Sequence, residues 1–147
     1  MNSLQPVIDN IASISSIAAV FKAEYDQEAL VKLTETKHYQ IPGVYVRSLF
    51  IPAGMALTGK IHNYHSIAIL AQGRIRIVSG ELTAVIEAPY IQTDGPGTMR
   101  LGYAETDCTF ITVHRTDNTD IPTIEYELAS DTLEEFEQKT QARLGDK

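Results

Sequence analysis

The stretch "GKIHNYHSIAILAQGRIRI", residues 59–77, decides how the rest of the chain reads. Apolar and small residues run from Ser66 to Ala71, Gly73 interrupts them, and Arg74, Ile75, Arg76 and Ile77 then alternate strictly. Side chains of a strand alternate between two faces, so a period of two marks a strand. The segment predicts one strand, a turn at Gly73 and a second strand. His62 and His65 stand three apart within it. On a helix that spacing gives a shared face; on a strand the two point apart unless the chain bulges. Only a bulge at Asn63–Tyr64 brings both rings to one side.

Working outward, the same period recurs. From about Tyr39 onward, "VYVRSLFIP", "LTAVIEAP", "TMRLGYA", "CTFITVH" and "TIEYEL" read as further short strands between Pro, Gly, Asn and Asp signals. In the last, Ile124, Tyr126 and Leu128 alternate with Thr123, Glu125 and Glu127, as in a half-buried strand. So many short strands predict a sandwich or barrel. The flanks have the other period. Leu4, Val7, Ile8, Ile11, Ile14, Ile17, Ala18 and Phe21 form an amphipathic helical stripe, and a second helix is expected over residues 26–34, capped by Asp26. "SDTLEEFEQKTQARL" closes the chain as a helix capped by Ser130 or Asp131, acidic in its first turns and basic in its last, with Leu133, Phe136 and Leu144 docking it. The expected organisation is an N-terminal helical extension over residues 1–37, a barrel over 38–128 and a C-terminal helix over 129–147.

Composition bounds the function. A chain of 147 residues fits one core, and a net charge of −7 with no basic stripe argues against general nucleic-acid binding. Cys108, the single cysteine, excludes an intrachain disulfide and reads as a buried small hydrophobe. The N-terminus has no early Lys or Arg, and "NIASISSIAAVF" is broken by Ser and Asn, so neither a signal peptide nor a membrane span is expected. A cytoplasmic protein is the expectation. No phosphate loop, Ser-His-Asp order or carboxylate pair stands out.

The middle of the chain resembles the cupin superfamily. Gly54 and Gly73 match the ends of its first motif, and "DGPGTMR", with Pro96 and Gly97, resembles its second. The resemblance implies a cupin-like β-barrel of jelly-roll type that often binds one metal ion. Of the four usual ligand positions only His62 is kept; Lys60, Ser66 and Arg100 stand at the others. More closely, "YVRSLFIPAGMALTGKIH" and "GPGTMRLGYAETDCTFITVHRT" resemble small cupin-like proteins of tailed phages and prophages, a resemblance that implies no settled activity.

His62 then reads as a metal ligand, a general base or a core residue bonded to a carbonyl. If "TMRLGYA" and "CTFITVH" form a hairpin around residues 105–107, His114 returns beside residues 96–98. His62, His65 and His114 with an open position would suit Zn²⁺, Ni²⁺ or Fe²⁺. Arg100 is a fixed cation that grips carboxylate or phosphate; its alternative is a salt bridge to Glu105, Glu87 or Asp94. Tyr45, Tyr64 and Tyr103 either line the pocket or pack the barrel. His38 precedes the barrel and reads as surface or strand-edge. The expected function is binding of a small anionic molecule, with or without a divalent metal. The alternative is a non-enzymatic phage accessory protein that sequesters a host nucleotide signal, inhibits a host protein or serves in the virion. The long apolar stripe of the first helix predicts a homodimer.

Overall fold

The computed structural model describes residues 9, 11, 34–79 and 82–145. From residue 34 on, the described residues form, in order, β1 (Glu35–Ile41), β2 (Val44–Ile51), β3 (Ala56–Thr58), β4 (Ile61–His62), β5 (Ser66–Gln72), β6 (Arg74–Ser79), β7 (Leu82–Glu87), β8 (Tyr90–Asp94), β9 (Leu101–Ala104), β10 (Cys108–Arg115), α1 (Ile121–Leu128), β11 (Ala129–Ser130) and α2 (Leu133–Gly145). The strands form a five-stranded sheet ordered β1-β2-β10-β5-β8, a four-stranded sheet ordered β3-β9-β6-β7 and the small pair β11-β4. All pairings are antiparallel. The barrel reading holds.

Its centre is apolar. Ile51, Met55, Leu70, Ile75, Ala104 and Cys108 fill the space between the two large sheets. Gly73 makes the expected turn at φ 94°, a conformation that strongly favours glycine, and a Cβ there would overlap the Asp107 carbonyl oxygen. Cys108 is fully buried, its thiol donating to the carbonyls of Arg74 and Thr106, and burial raises its pKa.

Several local readings need correction. "KIHNYHSIAIL" is two strands in different sheets: β4 ends at His62, the chain bends at Asn63–Tyr64, and β5 begins at Ser66. "TIEYEL" is helical. Asp120 caps α1 by accepting from the Thr123 amide, Pro122 stands in the first turn, and Ile121, Ile124 and Leu128 place one apolar face on Tyr45. The alternation of Ile124, Tyr126 and Leu128 misled because it coexists with this helical spacing; Tyr126 is exposed. β9 and β10 belong to different sheets, so they form no hairpin. Four strands, β1, β3, β8 and β11, fall outside the strand candidates of the sequence. β1 is joined to β2 through Pro42 and Gly43, the latter at φ 85°, the residue order of a type II turn. β8 pairs with β5 along its whole length.

In the C-terminal helix Thr132, not Ser130 or Asp131, is the cap: its hydroxyl accepts from the Glu135 amide. Phe136 and Leu133 dock as expected, against Ile11, Ile61 and Met99, whereas Leu144 is exposed. Asp9 and Ile11 are helical, as the first stripe predicts. The rest of that stripe and the helix expected over 26–34 lie outside the described residues. Among the described residues no helix is long and apolar enough to cross a membrane.

Candidate functional site

The five-stranded sheet sets the site. Strand pairing puts Tyr45, Arg47, Leu49 and Ile51 of β2 on the barrel side, opposite His114, Thr112, Phe110 and Cys108 of β10. The same face carries Ser66, Ala68 and Leu70 of β5 and Asp94, Gln92 and Tyr90 of β8. The interior is therefore apolar at one end and polar at the other.

His62 reaches this polar end from β4. Its backbone is fixed on the second glycine turn: the His62 amide donates to the Thr98 carbonyl at 2.9 Å, and the Gly97 amide donates to the His62 carbonyl at 2.7 Å. Its Nδ1 lies 3.2 Å from the Ser66 hydroxyl. The His114 ring stands edge-on to it with centroids 6.2 Å apart, and its Nε2 lies 2.8 Å from the Thr112 hydroxyl. Tyr45 lies against His114 on one side and His38 on the other, its hydroxyl 2.6 Å from His38 Nδ1. Burial, then the Arg100 guanidinium, lowers the His62 pKa to about 4. Burial, then Arg47, lowers that of His114 to about 4. Both rings are neutral at pH 7.

Arg100 points inward, and both sequence readings of it are realised at once. Its Nη1 lies 2.7 Å from Asp94 Oδ2, with both side chains nearly buried, and its guanidinium faces the Phe110 ring at 5.4 Å. The Asp94 contact is ion-pair close yet misses hydrogen-bond direction, so neither atom has a directional partner. Gln92 occupies the other Asp94 oxygen at 2.8 Å. Beside Arg100 lies a cavity of about 90 Å³ walled by Ala68, Leu70, Ile77, Ala84, Ile86, Tyr90, Gln92 and Phe110.

Four sequence expectations fare differently. His114 does meet His62, reached along β10 rather than through a hairpin. His65 is exposed, its ring packing over Gly95, and it lines an open depression with Ser66 and His114. Its bulge never forms, because the chain leaves one sheet and enters another between the two histidines. Tyr64 lies under the Arg143 guanidinium, 4.4 Å from it, on the α2 side. Tyr103 is exposed, since its strand neighbours Gly102 and Ala104 take the inward positions. Neither tyrosine lines the cavity; Tyr90 does.

His62, His65 and His114 thus do not converge, and among the described residues no three His, Cys, Asp or Glu side chains stand together as a metal site. The carboxylate of Asp94 at this end is engaged by Arg100 and Gln92. The residues present do not fit a three-ligand metal centre. What sequence reasoning missed is Arg47: it is exposed, faces the interior, and makes no ion pair among the described residues. Its signal was the alternation in "VYVR", whose inward half is Tyr45 and Arg47.

No family model matches the sequence. No curated protein matches it either. Solved structures do resemble the fold. KdgF from Halomonas sp. superposes with a TM-score of 0.52 at 14% identity, covering 69% of this chain and 95% of that one. A cupin superfamily protein from Desulfitobacterium hafniense gives 0.50 at 8%, covering 57% and 78%. An RmlC-like cupin from Shewanella frigidimarina gives 0.50 at 9%, covering 60% and 80%. Identities this low speak for architecture alone: the chain has the cupin fold.

Proposed function

We propose that this protein binds a small anionic molecule inside the barrel, between Arg47 at the open side and Arg100 at the cavity. The observation that carries the reading is Arg100. A nearly buried guanidinium has five N–H donors; Nη1 of this one is ion-paired off-axis with Asp94, and no described residue meets the others. Such donors cost free energy unless an acceptor meets them. A carboxylate or phosphate oxygen is the natural acceptor, and the neutral rings of His62 and His114 add uncharged hydrogen-bonding nitrogens beside it. Binding needs no metal on this reading. The resemblance to phage proteins makes an accessory role during infection its natural setting, where capture of a host metabolite or signal needs no catalysis.

The test is a thermal-shift panel of phosphate, citrate, short carboxylates and nucleotides, run with and without Zn²⁺, Ni²⁺ and Fe²⁺. A ligand at a hundred times its Kd stabilises by about 2.7 kcal/mol. Arg100→Lys keeps the charge beside Asp94 but loses the planar donors, and is expected to weaken binding tenfold or more. Arg47→Ala, which breaks no ion pair, is expected to weaken it at low salt. Stabilisation by metal alone, or undiminished binding in Arg100→Lys, overturns the reading.

We also propose self-association, and what supports it is the outer face of the five-stranded sheet rather than the first helix. The outer face of the five-stranded sheet carries Tyr39, Ile41, Ile67 and Ile91 at 54%, 68%, 41% and 67% exposure, with Ile69 and Ile111 between them. Five strands at about 4.8 Å and roughly 20 Å of strand length offer about 500 Å² per copy, near the lower bound of a specific interface. A second copy of the same face supplies a matching flat apolar surface through a two-fold axis.

A further inference from the structure

The cavity beside Arg100 narrows the kind of ligand. Its lining is lopsided: Ala68, Leu70, Ile77, Ala84, Ile86, Tyr90 and Phe110 on the apolar side, Gln92 and Arg100 on the other. Gln92 donates one amide hydrogen to Asp94, and besides it and the Tyr90 hydroxyl the Arg100 donors are the charged polar feature of the wall. A sugar acid or a polyphosphate would set most of its hydroxyls or its second charge against isoleucine, leucine and phenylalanine, with only Gln92 and Tyr90 to bond them. A purely apolar molecule would leave the guanidinium unmet. Only a molecule with an anionic head and a short hydrocarbon tail satisfies both halves.

Volume sets the tail. A cavity of about 150 Å³ takes benzene, with its six carbons, so one of about 90 Å³ takes roughly three to four. The strand register places the cavity one layer below the histidines: Leu70 and Phe110 line it, while Ser66 and His114 lie toward the polar end, with Ala68 and Thr112 between. Arg100 is shared by the two layers, lying against Phe110 and lowering the His62 pKa.

Resting on the anion-binding reading above, we infer that the ligand is a short amphipathic acid, its carboxylate on the Arg100 donors and three to four tail carbons in the cavity walled by Leu70, Ile77, Ile86 and Phe110. The two alanines set the length limit, because every other wall residue is larger.

Calorimetry on the full chain with the straight carboxylate series from acetate to octanoate, plus isovalerate, gluconate and phosphate, tests this. Each buried methylene adds about 0.8 kcal/mol, close to a fourfold gain in affinity. Affinity is expected to climb fourfold per carbon to butyrate or valerate, hold for isovalerate, and fall at hexanoate and beyond. Ala68→Leu fills the cavity and is expected to move the optimum toward acetate; Ala84→Leu serves as the second variant should the first fold poorly. Phosphate or gluconate binding as well as valerate, with no rise along the series, overturns the ligand class and leaves the anion reading standing. No binding by any anion overturns both.

Discussion

Two neutral imidazoles held inside a protein make its stability depend on pH in a predictable window. In the unfolded chain a histidine takes a proton near pH 6.5; in the folded protein His62 and His114 resist it until about pH 4. Above pH 6.5 both states are neutral and stability is full. As pH falls through 6.5 the unfolded chain binds protons that the folded chain refuses, so stability drops, and the loss levels off near pH 4 once the folded rings also charge. At pH 5 the two pKa values give a loss of about 2 kcal/mol per ring, hence about 4 kcal/mol for both. For a chain of this size that lowers Tm by roughly 10–15 °C. Urea unfolding followed by far-UV circular dichroism, from pH 7.5 to 4.5, measures it in the parent and in His62→Gln, His114→Gln and the double variant. The double variant lacks both rings, so the parent-minus-double difference reports their contribution. Each single variant is expected to remove about half the slope. Equal slopes in parent and double variant would refute the reasoning, since rings that charge freely in the folded state cost nothing.

Two further outcomes follow from contacts outside the pocket. Asn63 is buried at the bend between β4 and β5; its Nδ2 donates to the Glu127 carbonyl at 3.0 Å and its Oδ1 accepts from the buried Ser130 hydroxyl at 2.7 Å. Asn63→Leu strands both partners and is expected to cost about 2–4 kcal/mol in urea melts, while Asn63→Ala with Ser130→Ala recovers part of it. On the outer sheet face, light scattering is expected to show a dimer at tens of micromolar for the parent and a monomer for Ile91→Lys. Because Ile91 is already exposed in the single chain, its melting curve should change little when measured on the monomer. A monomeric parent at that concentration removes the second copy as the occupant of that face.

The architecture was legible where one physical signal sufficed. Gly73 marks a turn because only glycine sits comfortably at φ 94° against Asp107, and the strands on either side alternate without ambiguity. The pairing of His62 with His114 was also legible, though by the wrong route: His114 ends β10 beside the bend that β4 makes, and no β9–β10 hairpin is required. α1 was not, because eight residues satisfy both periods at once and the deciding features are Asp120 and Pro122 just at its start. His65 could not be placed from spacing, since the chain changes sheets between the two histidines.

Arg47 was missed for a more general reason, which joins the site to the outer face. Hydrophobic patterning assigns the apolar half of an alternating strand to the core. At the polar end of this sheet that assignment is reversed on four adjacent strands. β2 turns Tyr45 and Arg47 inward and Val44 and Val46 outward; β10 turns Thr112 and His114 inward and Ile111 and Val113 outward. β5 turns in Ser66 and Ala68 and puts out Ile67 and Ile69, and β8 turns in Gln92 and Asp94 and puts out Ile91. Alternation is visible in sequence, but which half faces inward is fixed by the other end of each strand, where Ile51, Leu70 and Cys108 enter the core. One register serves the whole strand, so anchoring the apolar end obliges the polar set to face inward at the other. An interior polar face without a ligand, and an exterior apolar face without a partner, are each unfavourable against water. That the same four strands carry both is the physical reason to expect a bound anion on one side of the sheet and a second subunit on the other.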